Sequence, residues 1–212
     1  MDELKELWAV FWLFDHYKNK IKHNLSINKY YISKLQQDIA LSRDESAYRK
    51  LFLLFHQSMI RFATSIVLSE EVAEEIYSDT MLKIWLMEDK LSNIQDLRQY
   101  LFKVTKNSAL NHLTKAAKNR FIDLDSIDML SFSSPSPEEK MLNNEFQRKI
   151  SEAVNALPPK CQLVYRLIKE EEFNYRQTAE ILDLSLNTVE RHMNSAMKKI
   201  VGHLKPYIIS SK

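Results

Sequence analysis

The segment Tyr175–Ile200 reads YRQTAEILDLSLNTVERHMNSAMKKI, and its apolar spacing is that of two short helices joined by a tight turn. Tyr175–Leu182 form the first helix, with Ala179 small enough to let a second helix cross closely. Asp183, Leu184 and Ser185 make the turn. Aspartate stands where glycine is common, and it tolerates left-handed backbone better than most residues. Ser185 is placed to cap the second helix, its hydroxyl accepting from a free N–H of the following turn. Along that helix Val189, Met193, Ala196 or Met197, and Ile200 recur at helical spacing and face a core. Asn187, Arg191, Asn194 and Lys198 are left as one outward polar stripe, with Thr188 beside it. The pattern is a helix-turn-helix. Asn and Arg pair bidentately with adenine and guanine edges, and Lys198 and Lys199 suit phosphates, so major-groove recognition is the first reading. Plain packing units share this spacing, and such stripes also serve as solvated faces.

Working outward, Pro158-Pro159 must lie between helices, because proline lacks the donor that a helix interior needs. Further upstream the pattern breaks from Asn119 to Asn144. At its centre is SFSSPSPEE (Ser131–Glu139), and Asp123, Asp125, Asp128, Glu138 and Glu139 make it acidic. Before the break, Gln37–Lys118 is free of proline and keeps a 3.6-residue apolar period. The fold class expected is all-α, two small helical modules joined by a flexible linker, with the helix-turn-helix in the C-terminal one. The divisions are an extension (1–36), a first module (37–118), an acidic Ser/Pro linker (119–147) and a second module (148–205). Two modules on a tether suit simultaneous engagement of two sites.

Composition excludes most catalytic designs. The 212 residues contain one glycine, Gly202, so phosphate-cradling loops, dinucleotide fingerprints and nucleophile elbows cannot be built. Cys161 is the sole cysteine, which rules out an internal disulfide or a cysteine zinc cage and fits a reduced, cytoplasmic setting. It reads as a small buried hydrophobe. The six histidines do not occur at metal-ligand spacing with carboxylates, and no nucleophile–base set is legible. No catalytic residue, metal, cofactor or small-molecule substrate is therefore expected. At the N-terminus Leu7–Phe14 (LWAVFWLF) is apolar but far shorter than the about 20 residues of a spanning helix. Its acidic flank and the lack of a cleavage site argue against a signal peptide. Packing on its own protein, or no role at all, outweighs an interfacial membrane helix assisted by Lys18, Lys20 and Lys22.

Net charge is only +2, but its distribution is uneven. The helix predicted over Glu70–Met87 buries Val72, Ile76, Thr80 and Ile84 and shows Glu71, Glu74, Glu75, Ser78 and Asp79. So dense an acid face repels nucleic acid and favours a basic protein partner, the bland alternative being a solvated flank. Arg98–Arg120 carries six basic residues and no acid. Leu97, Leu101, Thr105, Ala109, Leu113 and Ala116 point to a core; Tyr100, Lys103, Asn107, Asn111, Thr114 and Lys118 point away, with Lys115 alongside. A ring to stack, amides for base edges and cations for phosphates suit single-stranded or distorted nucleic acid. A merely solubilising face would more often mix signs.

Together the two modules resemble sigma factors of RNA polymerase, of the extracytoplasmic-function group. Ala73–Trp85 (AEEIYSDTMLKIW) is similar to the family's segment that docks on the clamp helices of the largest polymerase subunit. Leu97–Leu113 resembles its minus-ten helix, and Leu157–Leu167 with Phe173–Ile200 resembles its minus-thirty-five reader. The resemblance spans about Leu35 to Leu204. It implies that Glu75, Ser78 and Asp79 meet core polymerase, Ser-Asp replacing the commoner Gln-Glu. It implies that Asn107 and Asn111 meet flipped-out bases, that Lys103, Lys115 and Lys118 hold phosphates, and that the loop Glu88–Asp96 helps choose the minus-ten base. Asn187, Arg191 and Asn194 fall on the recognition helix, and Thr178 stands where an aliphatic residue is usual. The linker would thread toward the polymerase's RNA exit path and active centre. The implied partners are core polymerase, promoter DNA and an anti-sigma factor. Residues 1–34 have no counterpart in the family core, which a start codon assigned too far upstream would explain. The alternative is a stand-alone helix-turn-helix regulator on duplex DNA. It wants a dimer interface, and no long heptad run supplies one.

Overall fold

The computed structural model describes residues 29–119 and 145–210, and side chains within them except those of 116–119, 145–147 and 206–210. The aromatic stretch Leu7–Phe14, residues 120–144 of the Ser/Pro linker and the side chain of Lys118 therefore lie outside the described residues; Asn119 and 145–147, which the sequence reading gives to the linker, belong to helices. Those described form helices, short 3-10 and π turns and loops, with no strand among them. Chain contacts divide the structure into two units, residues up to Phe55 with Met81–Arg98, and His56–Thr80 with Gln99 onward.

The first unit begins with α1 (29–42), upstream of the Gln37 at which the sequence reading opens the first module. Ile32, Leu35, Gln36, Ile39 and Ala40 are buried at helical spacing, so the residues before Gln37 share one amphipathic face with those after it. The helix stops at Arg43, which turns left-handed at φ 49°. The N–H groups of Arg43 and Asp44 then donate back to Ile39 and Asp38. Asp44 starts α2 (Glu45–Val67), its Oδ1 accepting from the N–H of Ser46 (2.7 Å) and Ala47 (3.1 Å). Ala47, Leu51 and Phe55 of α2 are buried, as are Met81 and Ile84 of α3 (Glu70–Leu86). A 3-10 turn, Glu88–Asn93, then leads into α4 (Leu97–Asn119) and buries Leu91 completely.

In the second unit, Phe62 of α2 tilts against Phe102 of α4 with ring centroids 5.1 Å apart, and Tyr77 of α3 meets His56 edge-on. Thr80 is buried and donates to the Ile76 carbonyl, a back-bond that leaves no polar group unpaired on that face. The C-terminal helices are α5 (Glu145–Asn155), α6 (Pro159–Tyr165, continued by a π turn to Glu170), α7 (Tyr175–Leu182) and α8 (Leu186–Ser210). Pro158 ends the interhelical link and Pro159 opens α6, where a missing N–H has no consequence. α8 packs on α5, α6 and α7 through Val189, Met193, Ala196, Ile200 and Leu204, all buried. Each fully buried aliphatic or aromatic side chain contributes about 1.5–3 kcal/mol. Gly202 is an exposed residue of α8, and the positive-φ positions among the described residues are Arg43, Leu68, Glu88, Glu172 and Asp183.

Candidate nucleic-acid interface

The helix-turn-helix has the local devices its sequence suggests. Asn174 and Gln177 form a reciprocal capping box, the Asn174 side chain accepting from the Gln177 N–H at 2.9 Å and the Gln177 side chain from the Asn174 N–H at 3.1 Å. α7 ends at Asp183 in left-handed backbone, φ 53° and ψ 45°. The Ser185 hydroxyl accepts from the Thr188 N–H at 3.1 Å and lies 2.8 Å from the Thr188 hydroxyl, so it caps α8. That contact turns Thr188 back to the cap and leaves it only half-exposed. Asn187, Arg191, Asn194 and Lys198 are all exposed along one side of α8. The turn thus holds a row of two amides and two cations away from the core.

Beneath that row His192 is half-buried, its Nδ1 3.7 Å from the Cys161 sulfur. Burial first, then the nearby Arg191 and Lys160 charges, push its pKa below the usual histidine value. Its cationic form is thereby disfavoured beside the row. Thr178 is buried completely and its hydroxyl has no hydrogen-bond partner, and Thr105 of α4 is in the same state.

On α3, Glu71, Glu74, Glu75, Ser78 and Asp79 are all exposed, while Ile76 and Thr80 are buried and Val72 is intermediate. On α4, Leu97, Leu101, Thr105 and Ala109 are buried, with Leu113 only partly so. Asn107, Asn111, Thr114 and Lys115 are exposed and Tyr100 is half-buried.

Two α4 lysines turn toward the helix-turn-helix. Lys103 lies 3.4 Å from Asp183 Oδ1, and Lys106, its side chain only 7% exposed, donates to Asp183 Oδ2. Lys103, read from sequence as a phosphate contact, is here ion-paired. Sequence reasoning misses Lys106: it falls between the two faces of the helical wheel, and nothing local signals a buried ammonium. The Lys106 hydrogen bond, aided by Lys103 and opposed by slight desolvation, holds the Asp183 carboxyl below the usual range. The same side of α4 donates from Gln99 Nε2 to Glu180 Oε2 at 2.6 Å, and Phe102 meets Phe173 edge-on at 5.1 Å. Among the described residues no group of three or more His, Cys, Asp or Glu is placed to hold a metal ion, and no helix is long and apolar enough to cross a membrane.

Comparison with known proteins places both halves. Residues 51–119 match the family described as Sigma-70 region 2, and residues 147–200 match Sigma-70, region 4. The chain is 21% identical over 171 residues to the ECF RNA polymerase sigma-E factor of Haemophilus influenzae, covering 77% of this chain and 90% of that protein. It is 22% identical over 162 residues to the ferric citrate uptake sigma factor FecI of Escherichia coli, covering 76% and 92%. A probable RNA polymerase sigma factor, RfaY of Xanthomonas campestris, is 24% identical over 164 residues, and this chain covers 41% of that protein's length. Among solved structures, the fold is similar to sigma factor RpoE in complex with anti-sigma factor NepR from Bartonella quintana. The TM-score there is 0.57 at 21% identity, covering 74% of this chain and 96% of the other. CnrH in complex with the cytosolic domain of CnrY is similar at a TM-score of 0.52 and 16% identity, covering 83% and 98%.

Proposed function

The chain belongs to the sigma-70 family, with region 2 and region 4 both present, and from that premise we propose how its helices direct transcription initiation by RNA polymerase. The observation that carries the reading is the segregation of charge. All five polar residues of the α3 face, four of them acidic, are exposed, while Asn107, Asn111 and Lys115 on α4 and Asn187, Arg191, Asn194 and Lys198 on α8 form exposed rows of amides and cations with no acid among them. An acid face of this kind is repelled by DNA and attracted to a basic protein surface. Glu71, Glu74, Glu75, Ser78 and Asp79 therefore dock on core polymerase, at the clamp helices of its largest subunit.

The DNA contacts divide by chemistry. Asn187, Arg191 and Asn194 read base edges in the upstream major groove, with Thr188 at the helix start and Lys198 on the backbone. Tyr100, Asn107 and Asn111 take unstacked bases of the minus-ten element by stacking and amide hydrogen bonds, while Lys115 and Lys118 neutralise phosphates. Melting costs a few kcal/mol per unstacked step, and binding of the displaced bases offsets it. No bond is made or broken by this subunit; it is a non-enzymatic, cytoplasmic specificity factor. The solved complex of the fold relative RpoE with anti-sigma factor NepR supports a protein of the anti-sigma kind as a further partner.

The test is co-elution with sigma-free core polymerase. The native chain forms a stable complex, and Glu75→Lys with Asp79→Lys abolishes it while circular dichroism stays unchanged. Undiminished binding by that double variant sinks the assignment of the α3 face.

A further inference from the structure

The amide of Gln36 points at main chain 55 residues away. Gln36 is buried within the apolar stripe of α1, and its Nε2 donates to two carbonyl oxygens, those of Leu91 and Ile94, each at 2.8 Å. Both acceptors belong to the 3-10 turn and the residue that ends it, the link between α3 and α4. Both acceptors are main-chain carbonyls that no substitution removes, so an apolar side chain in place of Gln36 would leave them short of a donor. What the amide adds is direction, since it ties two points of one loop to one point of a rigid helix.

The start of that loop is tied as well. Glu88 adopts left-handed backbone at φ 51°. Its Oε1 accepts from Arg43 Nη1 at 2.9 Å, and the Arg43 guanidinium lies over the Trp85 ring at 4.5 Å from its centroid. Trp85 in turn packs on Tyr48 at 5.0 Å. Leu91 is wholly buried, and the Ser92 hydroxyl is turned back onto the Asp89 carbonyl at 2.6 Å. With these ties in place, Asn93 and Gln95 are exposed and present two side-chain amides from a backbone of defined path. Amides on a fixed backbone reject a wrong base because a donor or acceptor is then left unpaired; on a loose backbone they adapt and discriminate less.

We propose that Gln36, assisted by Arg43, is a positioning residue for base choice: it fixes the path of the 88–96 loop, and so the base that the loop accepts at the minus-ten element. The proposal rests on the reading of that loop as a minus-ten selector, and it extends the specificity apparatus into the segment that the sequence assigns to an extension. Gln36 itself touches no DNA; it acts through the carbonyls of Leu91 and Ile94.

The experiment uses holoenzyme reconstituted from the full chain and core polymerase. Run-off transcription is measured on promoter fragments carrying each of the four bases at each minus-ten position in turn. Gln36→Met keeps length and removes both donors, and Gln36→Glu keeps shape but sets acceptors against two carbonyls. Arg43→Gln, at an exposed position, loosens the loop start without disturbing the core and stands in if the Gln36 variants do not fold. The double variant Asn93→Ala with Gln95→Ala tests the loop reading directly. Expected is a fall of at least about fivefold in the preference for the best base, the low end of what one base contact contributes, with core polymerase affinity unchanged. The Arg43 variant shifts the same ratio by less. If the loop variant moves the preference and neither Gln36 nor Arg43 variants do, the positioning role is overturned and the loop reading stands. If no variant moves it, both fall. A uniform loss of transcript across all four bases, tracking a lowered melting temperature, reduces Gln36 to a purely structural residue and also overturns the proposal.

Discussion

Replacing Asp183 by asparagine tests the electrostatics of the helix-turn-helix turn. The substitution keeps side-chain size and tolerance of the left-handed backbone at φ 53°, so it removes charge and little else. Lys106 loses the carboxylate opposite its ammonium, which is 7% exposed. The amide oxygen of the variant can still accept from Lys106, in a hydrogen bond roughly half as strong as the one to a carboxylate. The Lys103 contact at 3.4 Å involves two groups near half exposure and is worth at most about 1 kcal/mol. The sum is a loss of about 1–2 kcal/mol at pH 7, after discounting for the 56% exposure of the Asp183 side chain. Asp183→Ala removes the acceptor altogether and strains the left-handed position, so it loses about 2–4 kcal/mol. The pH dependence has a definite sign. A carboxyl held low in the folded chain contributes stability that is complete above its unfolded pKa, about 3.9. That stability disappears as pH falls through the lower folded value. Urea unfolding followed by circular dichroism at pH 7, 5, 4 and 3 should therefore show native and Asp183→Asn curves separated at pH 7 and converging at the acid end. Equal stability at pH 7, or a gap that persists undiminished to pH 3, refutes the reasoning.

Other expectations follow from single residues. Thr178→Val should stabilise the chain by about 1–2 kcal/mol, because the hydroxyl it removes is buried without a partner; thermal melting decides, and a lowered melting temperature refutes it. Leu68→Gly should add roughly 0.5 kcal/mol. It relieves a left-handed residue at φ 60°, an effect partly offset by the greater freedom of glycine in the unfolded chain; chemical denaturation reads the sign. Arg191→Ala should weaken use of promoters that depend on the upstream element by about 1–3 kcal/mol. Co-elution with core polymerase should stay intact, and an equal effect on promoters lacking that element would show that the side chain reads no base.

The sequence by itself determined the helix-turn-helix and the cap of its second helix. α7 spans the very residues, Tyr175–Leu182, that apolar spacing marks out, with Asp183 in left-handed backbone and Ser185 as the cap of α8. The exposed acid row of α3 and the amide row of α8 are legible for the same reason. Periodicity, capping and turn chemistry act over three or four residues, so a short window contains both partners of each interaction. The tertiary structure decided what joins residues far apart. Gln36 pairs across 55 positions and Lys106 across 77, and neither carries a local mark that separates it from a solvated polar residue. That is why sequence alone gives the start of α1 to an extension and Lys103 to a phosphate. A polar side chain in a helical segment is stable either in water or buried against a matching group, and only the folded chain shows which partner has arrived.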